Sequence, residues 1–421
     1  MSLTAKSTTE KLRASSPLTG NDRRPELRVL QVFDGLGMGG AETWLIALLK
    51  YFNEHDAELP VSVKFDVLLT GGERAIFDDQ ATALGARLYY LRFGRRNLVG
   101  FVRKFRQILA GGKYHAIHDH QDYIAGLHFL AGAGYLPATR IAHVHNPLYH
   151  RSNYATGFLR RTTNSAGKRL ISMLATHVTG TSLQIMDEYG FQESRSSNLR
   201  LDAAHCGFDV VPYQGDRTAA HRDLCRELGW PQSSKVILFV GRLEGAEIVY
   251  NGRRMTHKNP AFALAVARAC IAKDASVHLA MAGSGEQKKK EFETTVREWG
   301  IREHVSFLGL RKDVPRLMLG SDLLLFPSLA EGLGMVVVEA QAAGLRVLAS
   351  DTTPRESVVV PELVEFLELS ADPERWAAAA LRLLEMEAPS AAQCNSTVRQ
   401  SPFSIQNSAA QLVDLYGEPS P

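Results

Sequence analysis

The sequence predicts an α/β protein built from two Rossmann-like domains that face a central cleft. Three observations carry that reading. Apolar, β-branched runs alternate with helical segments along most of the chain, a glycine-rich turn follows a strand in each half, and the length is 421 residues. At roughly 100–200 residues per domain, that length favours two or three domains. A composition 45% hydrophobic and 22% charged can bury ordinary cores. With 48 Lys+Arg against 45 Asp+Glu, the net charge of +3 is too small for a dedicated nucleic-acid binder.

The elements follow in chain order. Residues 1–25 are polar, lack the apolar core of a secretory signal, and read as a disordered leader. Arg28–Phe33 has the composition of a buried parallel strand. Glycines at 35, 37, 39 and 40 make a turn, and Ala41–Leu49 is helical, with Glu42 in the first turn where the helix dipole favours a carboxylate. Strand, glycine turn and helix form the opening unit of a doubly wound sheet. Further strands are expected at Lys64–Leu69, Ala86–Leu91, Ala116–His118, Arg140–Val144 and Thr176–Val178. Residues 192–200 turn polar and place the boundary there, giving an N-terminal domain at 26–197 and a C-terminal domain at 198–400.

The second series opens at Lys235–Val240 and continues through Val277–Met281, Val305–Leu308, Asp322–Phe326 and Val347–Ala349. Helices are expected at Pro260–Ala272 and Gly334–Ala343, and the amphipathic tail at 404–416 is a last helix, assigned to the first domain. The cysteines, at 206, 225, 270 and 394, form no C-x-x-C pair and read as free thiols of a reducing compartment. No run of about 20 apolar residues is present. The expectation is a cytoplasmic protein.

The stretch Pro327–Ala343 concentrates the chemistry. Glu331 and Glu339 lie eight residues apart, and Glu331–Gly334 occupies a loop between a strand and a helix. Backbone N–H groups at such a helix start suit an anion or a hydroxyl-rich ligand. Glu339, among valines and alanine on an apolar helix, needs a partner. The earlier turn GLGMGGAE is not G-x-G-x-x-G, but two glycine clusters at strand-to-helix turns suggest phosphate bound in a cleft. Arg242 follows a strand end and Lys258 precedes Pro260, so both could meet that phosphate or remain surface charges.

His118, His120, His143 and His145 stand at strand ends. Alternate positions share a face, yet no further ligand spacing points to a metal, so none is expected. One histidine bonded to a polar substrate is the functional reading, and one satisfied by backbone is the alternative. Two acid-free basic stretches, residues 92–106 and 151–169, read either as solvated helix faces or as contacts with anionic headgroups or an anionic acceptor.

Taken together, the motifs resemble a retaining glycosyltransferase of family 4, of the two-domain GT-B fold and the bacterial capsular or exopolysaccharide type. EGLGMVVVEA is similar to that family's E-x7-E signature, with Glu331 and Glu339 as its glutamates. MGGAE at 38–42 resembles the first domain's glycine loop, and the strand ending in Gly241–Arg242, with Lys258, resembles the phosphate-binding pair. IAHVHN at 141–146 resembles the strand carrying the active-site histidine, here His145.

The resemblance implies transfer of a hexose from a UDP- or GDP-sugar to a glycan or lipid-linked acceptor, with retention and without a metal, consistent with the lack of an Asp-x-Asp motif. It further implies that Glu339 accepts hydrogen bonds from the ribose. Glu331 and the N–H groups of Gly332, Leu333, Gly334 and Met335 would hold the sugar. Arg242, Lys258 and the amides of Gly39 and Gly40 would stabilise the departing diphosphate. No cofactor or nucleic acid is implied, and membrane contact would be peripheral, at the inner face of the plasma membrane. A nucleotide-sugar epimerase, a phosphorylase and a non-catalytic nucleotide or glycan binder are the alternatives. Two departures stand out. Fifteen residues separate Arg242 from Lys258, so Arg253 or Arg254 could compete for its role, and His205 replaces the usual Asn before the Gly-Phe-Asp run.

Overall fold

The computed structural model describes residues 24–147, 158–191, 199–245, 247–250, 253–387 and 389–417. The side chains of 158–160, 248–250, 253 and 254 are outside that description, as are nearly all of the expected leader and Arg151. The chain divides into two compact units. One takes the described residues up to Phe208 together with the tail from Ile405, and the other comprises Asp209–Ser404.

The first unit holds a seven-stranded sheet whose strands are β1 (Glu26–Phe33), β2 (Ser62–Leu69), β3 (Arg87–Tyr90), β4 (Ala116–Asp119), β5 (Thr139–Val144), β6 (His177–Gly180) and β7 (Arg200–Ala203). Their spatial order is β3-β2-β1-β4-β5-β6-β7, every pairing parallel. The run Val29–Phe33 is fully buried, as a parallel strand covered on both faces requires. Because β7 pairs with β6, the sheet continues past residue 197, and the unit ends at Phe208 rather than at the expected boundary. The helix Ile405–Gly417 packs in this unit, where Trp44 Nε1 donates to Ser408 Oγ at 2.9 Å and Ser408 Oγ donates to the His205 carbonyl at 2.9 Å. His205 is itself held through Nδ1 on the Thr181 carbonyl at 2.9 Å.

The second unit contains β8 (Lys235–Val240), β9 (Ile248–Tyr250), β10 (Arg253–Met255), β11 (Val277–Ala282), β12 (Val305–Gly309), β13 (Leu323–Phe326), β14 (Arg346–Ser350) and β15 (Val364–Leu367). Six of them form a parallel sheet ordered β12-β11-β8-β13-β14-β15, while β9 and β10 make a separate antiparallel pair. The core beneath the larger sheet includes Phe262 and Trp376, whose rings meet edge to face at 5.5 Å. All four cysteines are buried free thiols.

Each sheet reverses its winding direction once, between β1 and β4 in the first and between β8 and β13 in the second. Open α/β sheets bind ligands beyond the carboxyl ends of the strands at such a point. The turn at 35–40 follows β1, and His120 follows β4. Gly241–Arg242 follows β8, and Pro327–Gly334 follows β13. The positions singled out for chemistry therefore stand at the two switch points.

Candidate active-site residues in the two units

In the second unit, Lys258 and Glu331 form an ion pair, Nζ to Oε1, at 2.6 Å. Glu331 is only 7% exposed. Burial alone would raise its carboxyl. The Lys258 ammonium, with His257 and the hydrogen-bonding Ser328 hydroxyl, outweighs burial and holds it below its ordinary value. The loop carrying Glu331 is fixed from the Lys258 side. Leu329 N donates to the His257 carbonyl at 2.9 Å, and His257 Nε2 donates to the Ala330 carbonyl.

The 15 residues between Arg242 and Lys258 contain the antiparallel pair β9–β10. The extra length thus folds on itself, and Lys258 still returns to the end of β8. Its Cγ lies 3.2 Å from where a Cβ on Gly241 would stand. The β8 end is equally close to the turn after β11, because a Cβ on Gly283 would fall 1.8 Å from the Gly241 carbonyl oxygen. Only glycine fits at 283. Arg242 is exposed, and its charge reaches His257, whose protonated form is disfavoured first by burial and further by Lys258 and Arg242. Arg253 and Arg254, the candidates to replace Lys258, have side chains outside the described residues.

Gly334 precedes the helix Met335–Ala342 with φ of 87°, a left-handed conformation that favours glycine. No side chain caps this helix start. Glu339, one helical turn in, receives a hydrogen bond from the Tyr213 hydroxyl. Burial nonetheless pushes its carboxyl up to about 7, against the lowering influence of Tyr213 and Lys258. The need for a partner was legible in the sequence; Tyr213, 126 residues upstream, was not.

In the first unit, the glycine turn leads into the helix Gly40–Glu54. The Glu42 carboxylate folds back over Gly39, with Oε2 2.2 Å from the position a Cβ would take, while Gly40 has open space. Burial raises the Glu42 carboxyl. The expected anion-binding loop therefore carries an acid that has to be neutral or move aside when phosphate binds.

The histidines form a network rather than leaving one imidazole alone. His118 Nε2 meets His143 Nδ1 at 3.0 Å, and His120 Nδ1 meets His145 Nε2 at 2.8 Å. Gln31 and Tyr416 join both branches. Burial pushes His118, His120 and His143 well below the usual imidazole range and His145 down to about 3, so all four are neutral. Asp122, at φ of 51°, accepts from the His145 backbone N–H at 3.0 Å and from Asn146 Nδ2 at 3.1 Å, fixing the end of β5. The i, i+2 spacing placed each pair on one face; pairing of β4 with β5 brought the two pairs together.

Residues 222–401, within the second unit, match the family model described as Glycosyl transferases group 1. The chain is 28% identical over 393 residues, 92% of its length and 96% of the relative's, to a Bacillus subtilis (strain 168) protein named "Putative glycosyltransferase EpsF". It is 30% identical over 227 residues to a D-inositol 3-phosphate glycosyltransferase of Corynebacterium kroppenstedtii, a match covering 51% of this chain and 48% of that protein. In fold it is similar to Anabaena Alr3699/HepE, solved in complex with UDP, at a TM-score of 0.71 and 17% identity over 92% of this chain and 98% of the other. The lipopolysaccharide-biosynthesis glycosyltransferase WaaG aligns at a TM-score of 0.61 and 15% identity, over 93% and 97% of the two chains. The family match thus lies on the unit that carries Glu331, Lys258 and Glu339, and the chain as a whole shares the fold of these solved glycosyltransferases.

Proposed function

We propose that this protein transfers a hexose from a nucleoside diphosphate sugar to a glycan or lipid-linked acceptor, with retention of configuration and without a metal ion. The observation that carries the reading is the buried Lys258–Glu331 ion pair beside the end of β8. Isolated, such a pair repays its desolvation poorly, so its presence at a strand switch point favours a role in ligand binding. In this reading the ammonium of Lys258 and the exposed guanidinium of Arg242 take up negative charge as the diphosphate departs. A preorganised donor of this kind is worth about 3–4 kcal/mol in the transition state. Glu331 and the N–H groups of residues 332–335 hold the sugar, and Glu339 accepts from ribose hydroxyls. Gly39 and Gly40 supply amides once the Glu42 carboxylate is displaced or protonated, and His145 contacts a sugar hydroxyl. The acceptor hydroxyl attacks from the face the diphosphate leaves, so no enzyme nucleophile is required.

UDP is the favoured nucleotide, because HepE, similar in fold, was solved with UDP and with UDP-glucose. The test is sugar transfer from UDP- and GDP-sugars to lipid-linked acceptors, with and without EDTA. Transfer unaffected by EDTA and lost in Glu331→Ala supports the reading. Donor conversion without acceptor, or a requirement for inorganic phosphate, replaces it with an epimerase or a phosphorylase.

A peripheral membrane contact belongs to the same proposal. The helix Leu98–Gly112 exposes Leu98, Val99, Arg103 and Lys104, with Arg95 and Arg96 exposed just before it. The phenylalanines interleaved with these charges, Phe101 and Phe105, are core residues and take no part. No described helix is long and apolar enough to cross a membrane.

A further inference from the structure

Two hydrogen-bonded branches leave one point in the first unit. Gln31 Nε2 donates to the Tyr416 hydroxyl at 2.9 Å, and Gln31 Oε1 accepts from His120 Nε2 at 2.8 Å. The hydroxyl has one proton of its own, which goes to His118 Nδ1 at 2.9 Å. His118 then carries its proton on Nε2 and donates to His143 Nδ1. Along the other branch, His120 has its proton on Nε2, so its Nδ1 accepts from His145 Nε2. Each neutral imidazole has one donor and one acceptor, so once the Gln31 amide has this orientation every other proton position follows. His145 is left with a bare Nδ1, whereas the proton at the end of the other branch, on His143 Nε2, is buried with no partner among the described residues. Rotating the Gln31 amide by half a turn would reverse every donor and acceptor on both branches. It would turn His145 Nδ1 into a donor.

We infer that Gln31 is a positioning residue that fixes the tautomer of His145, holding its proton on Nε2 and presenting Nδ1 as the acceptor for a substrate hydroxyl. Tyr416, from the far end of the chain, fixes Gln31 in turn. The inference rests on the reading of His145 as a substrate contact. It also gives the buried histidines a role other than metal binding. Ligand atoms of His118, His120 and His143 lie within 4.8 Å of one another, but in this arrangement their lone pairs already accept from Tyr416, His145 and His118. A metal could bind only by breaking the network.

The test uses the full-length protein with histidine-selective 15N labelling, and long-range proton–nitrogen correlation assigns each tautomer. His145 should be protonated on Nε2 in the wild type, and a proton on Nδ1 would overturn the inference. Gln31→Leu should mix the His145 tautomers and lower kcat about tenfold to a hundredfold, the range seen when a partner that orients a functional histidine is removed. Tyr416→Phe should produce a smaller change in the same direction. An unchanged tautomer and unchanged kcat in a folded Gln31→Leu variant would sink the inference. His145→Ala separates the two layers: if it leaves turnover intact, the role of His145 itself is wrong. Cobalt(II) is the remaining probe, and a tetrahedral visible band lost in His143→Phe would replace the network with a metal site.

Discussion

Lys258 Nζ lies 2.6 Å from Glu331 Oε1, joining the end of β8 to the loop after β13 across 73 residues of sequence. The carboxylate side chain is 8% exposed and the ammonium side chain 20%. Removing either partner leaves a buried charge uncompensated, a loss of about 3–5 kcal/mol. Lys258→Met and Glu331→Leu should each lower Tm by several degrees, and the double variant should recover most of it. None of the three should transfer sugar at more than about a hundredth of the wild-type rate. Thermal melts beside a transfer assay check both, and a double variant that regains activity would remove the pair from the mechanism.

Arg242 gives the contrasting case. It is exposed, so Arg242→Ala should leave Tm within about a degree, the effect of an ordinary surface substitution. In the proposed mechanism transfer should fall about a hundredfold, because the departing diphosphate then keeps only Lys258 and the amides of Gly39 and Gly40. Arg242→Lys should recover only part, since an ammonium lacks the two-pronged geometry. Full activity in the alanine variant would make Arg242 a surface charge.

Glu339 links pH to stability. Its carboxyl titrates near 7 in the folded protein, against 4.5 as its ordinary value. Between those values the native state holds a proton that the unfolded chain has released, so stability is complete below 4.5 and falls as pH rises through 7. The loss approaches roughly 3 kcal/mol. Glu339→Gln should therefore match the wild type at pH 5 and melt higher at pH 8. If the ionised carboxylate accepts ribose hydroxyls, UDP affinity should rise between pH 6 and 8 in the wild type and stay flat in the variant. Calorimetric titration at the two pH values decides it.

The basic helix face should make membrane binding sensitive to salt. Vesicles containing phosphatidylglycerol should sediment the protein at low ionic strength and release it as salt screens the contact. Replacing Arg95, Arg96, Arg103 and Lys104 with glutamine should abolish sedimentation without changing Tm. Equal binding to neutral vesicles would assign this face a different role.

Much of the fold was legible because buried parallel strands are written locally. Lys235–Val240 and Pro260–Lys273 need only their own apolar pattern and flanking turns to declare a strand and a helix. The E-x7-E stretch, Arg242 and the paired histidines were visible for the same reason, since residue types at fixed spacing on one element need no partner to be seen. Short edge strands such as β7 and β15 went unmarked; at four residues, pairing rather than composition makes them strands.

Which distant residues meet is settled by the packing of the elements. The pairing of Lys258 with Glu331, the hydroxyl of Tyr213 on Glu339 and the return of Lys258 to Gly241 around the β9–β10 insert join positions up to 126 residues apart. The joining of Gln31 to Tyr416 spans 385. Such contacts depend on strand order, and strand order emerges from packing whole elements together, which no local pattern encodes. Local residue patterns specify the parts and their chemistry. The sheets determined their partners, because only closing a parallel strand against its neighbour brings their carboxyl ends, and the side chains beyond them, to one place.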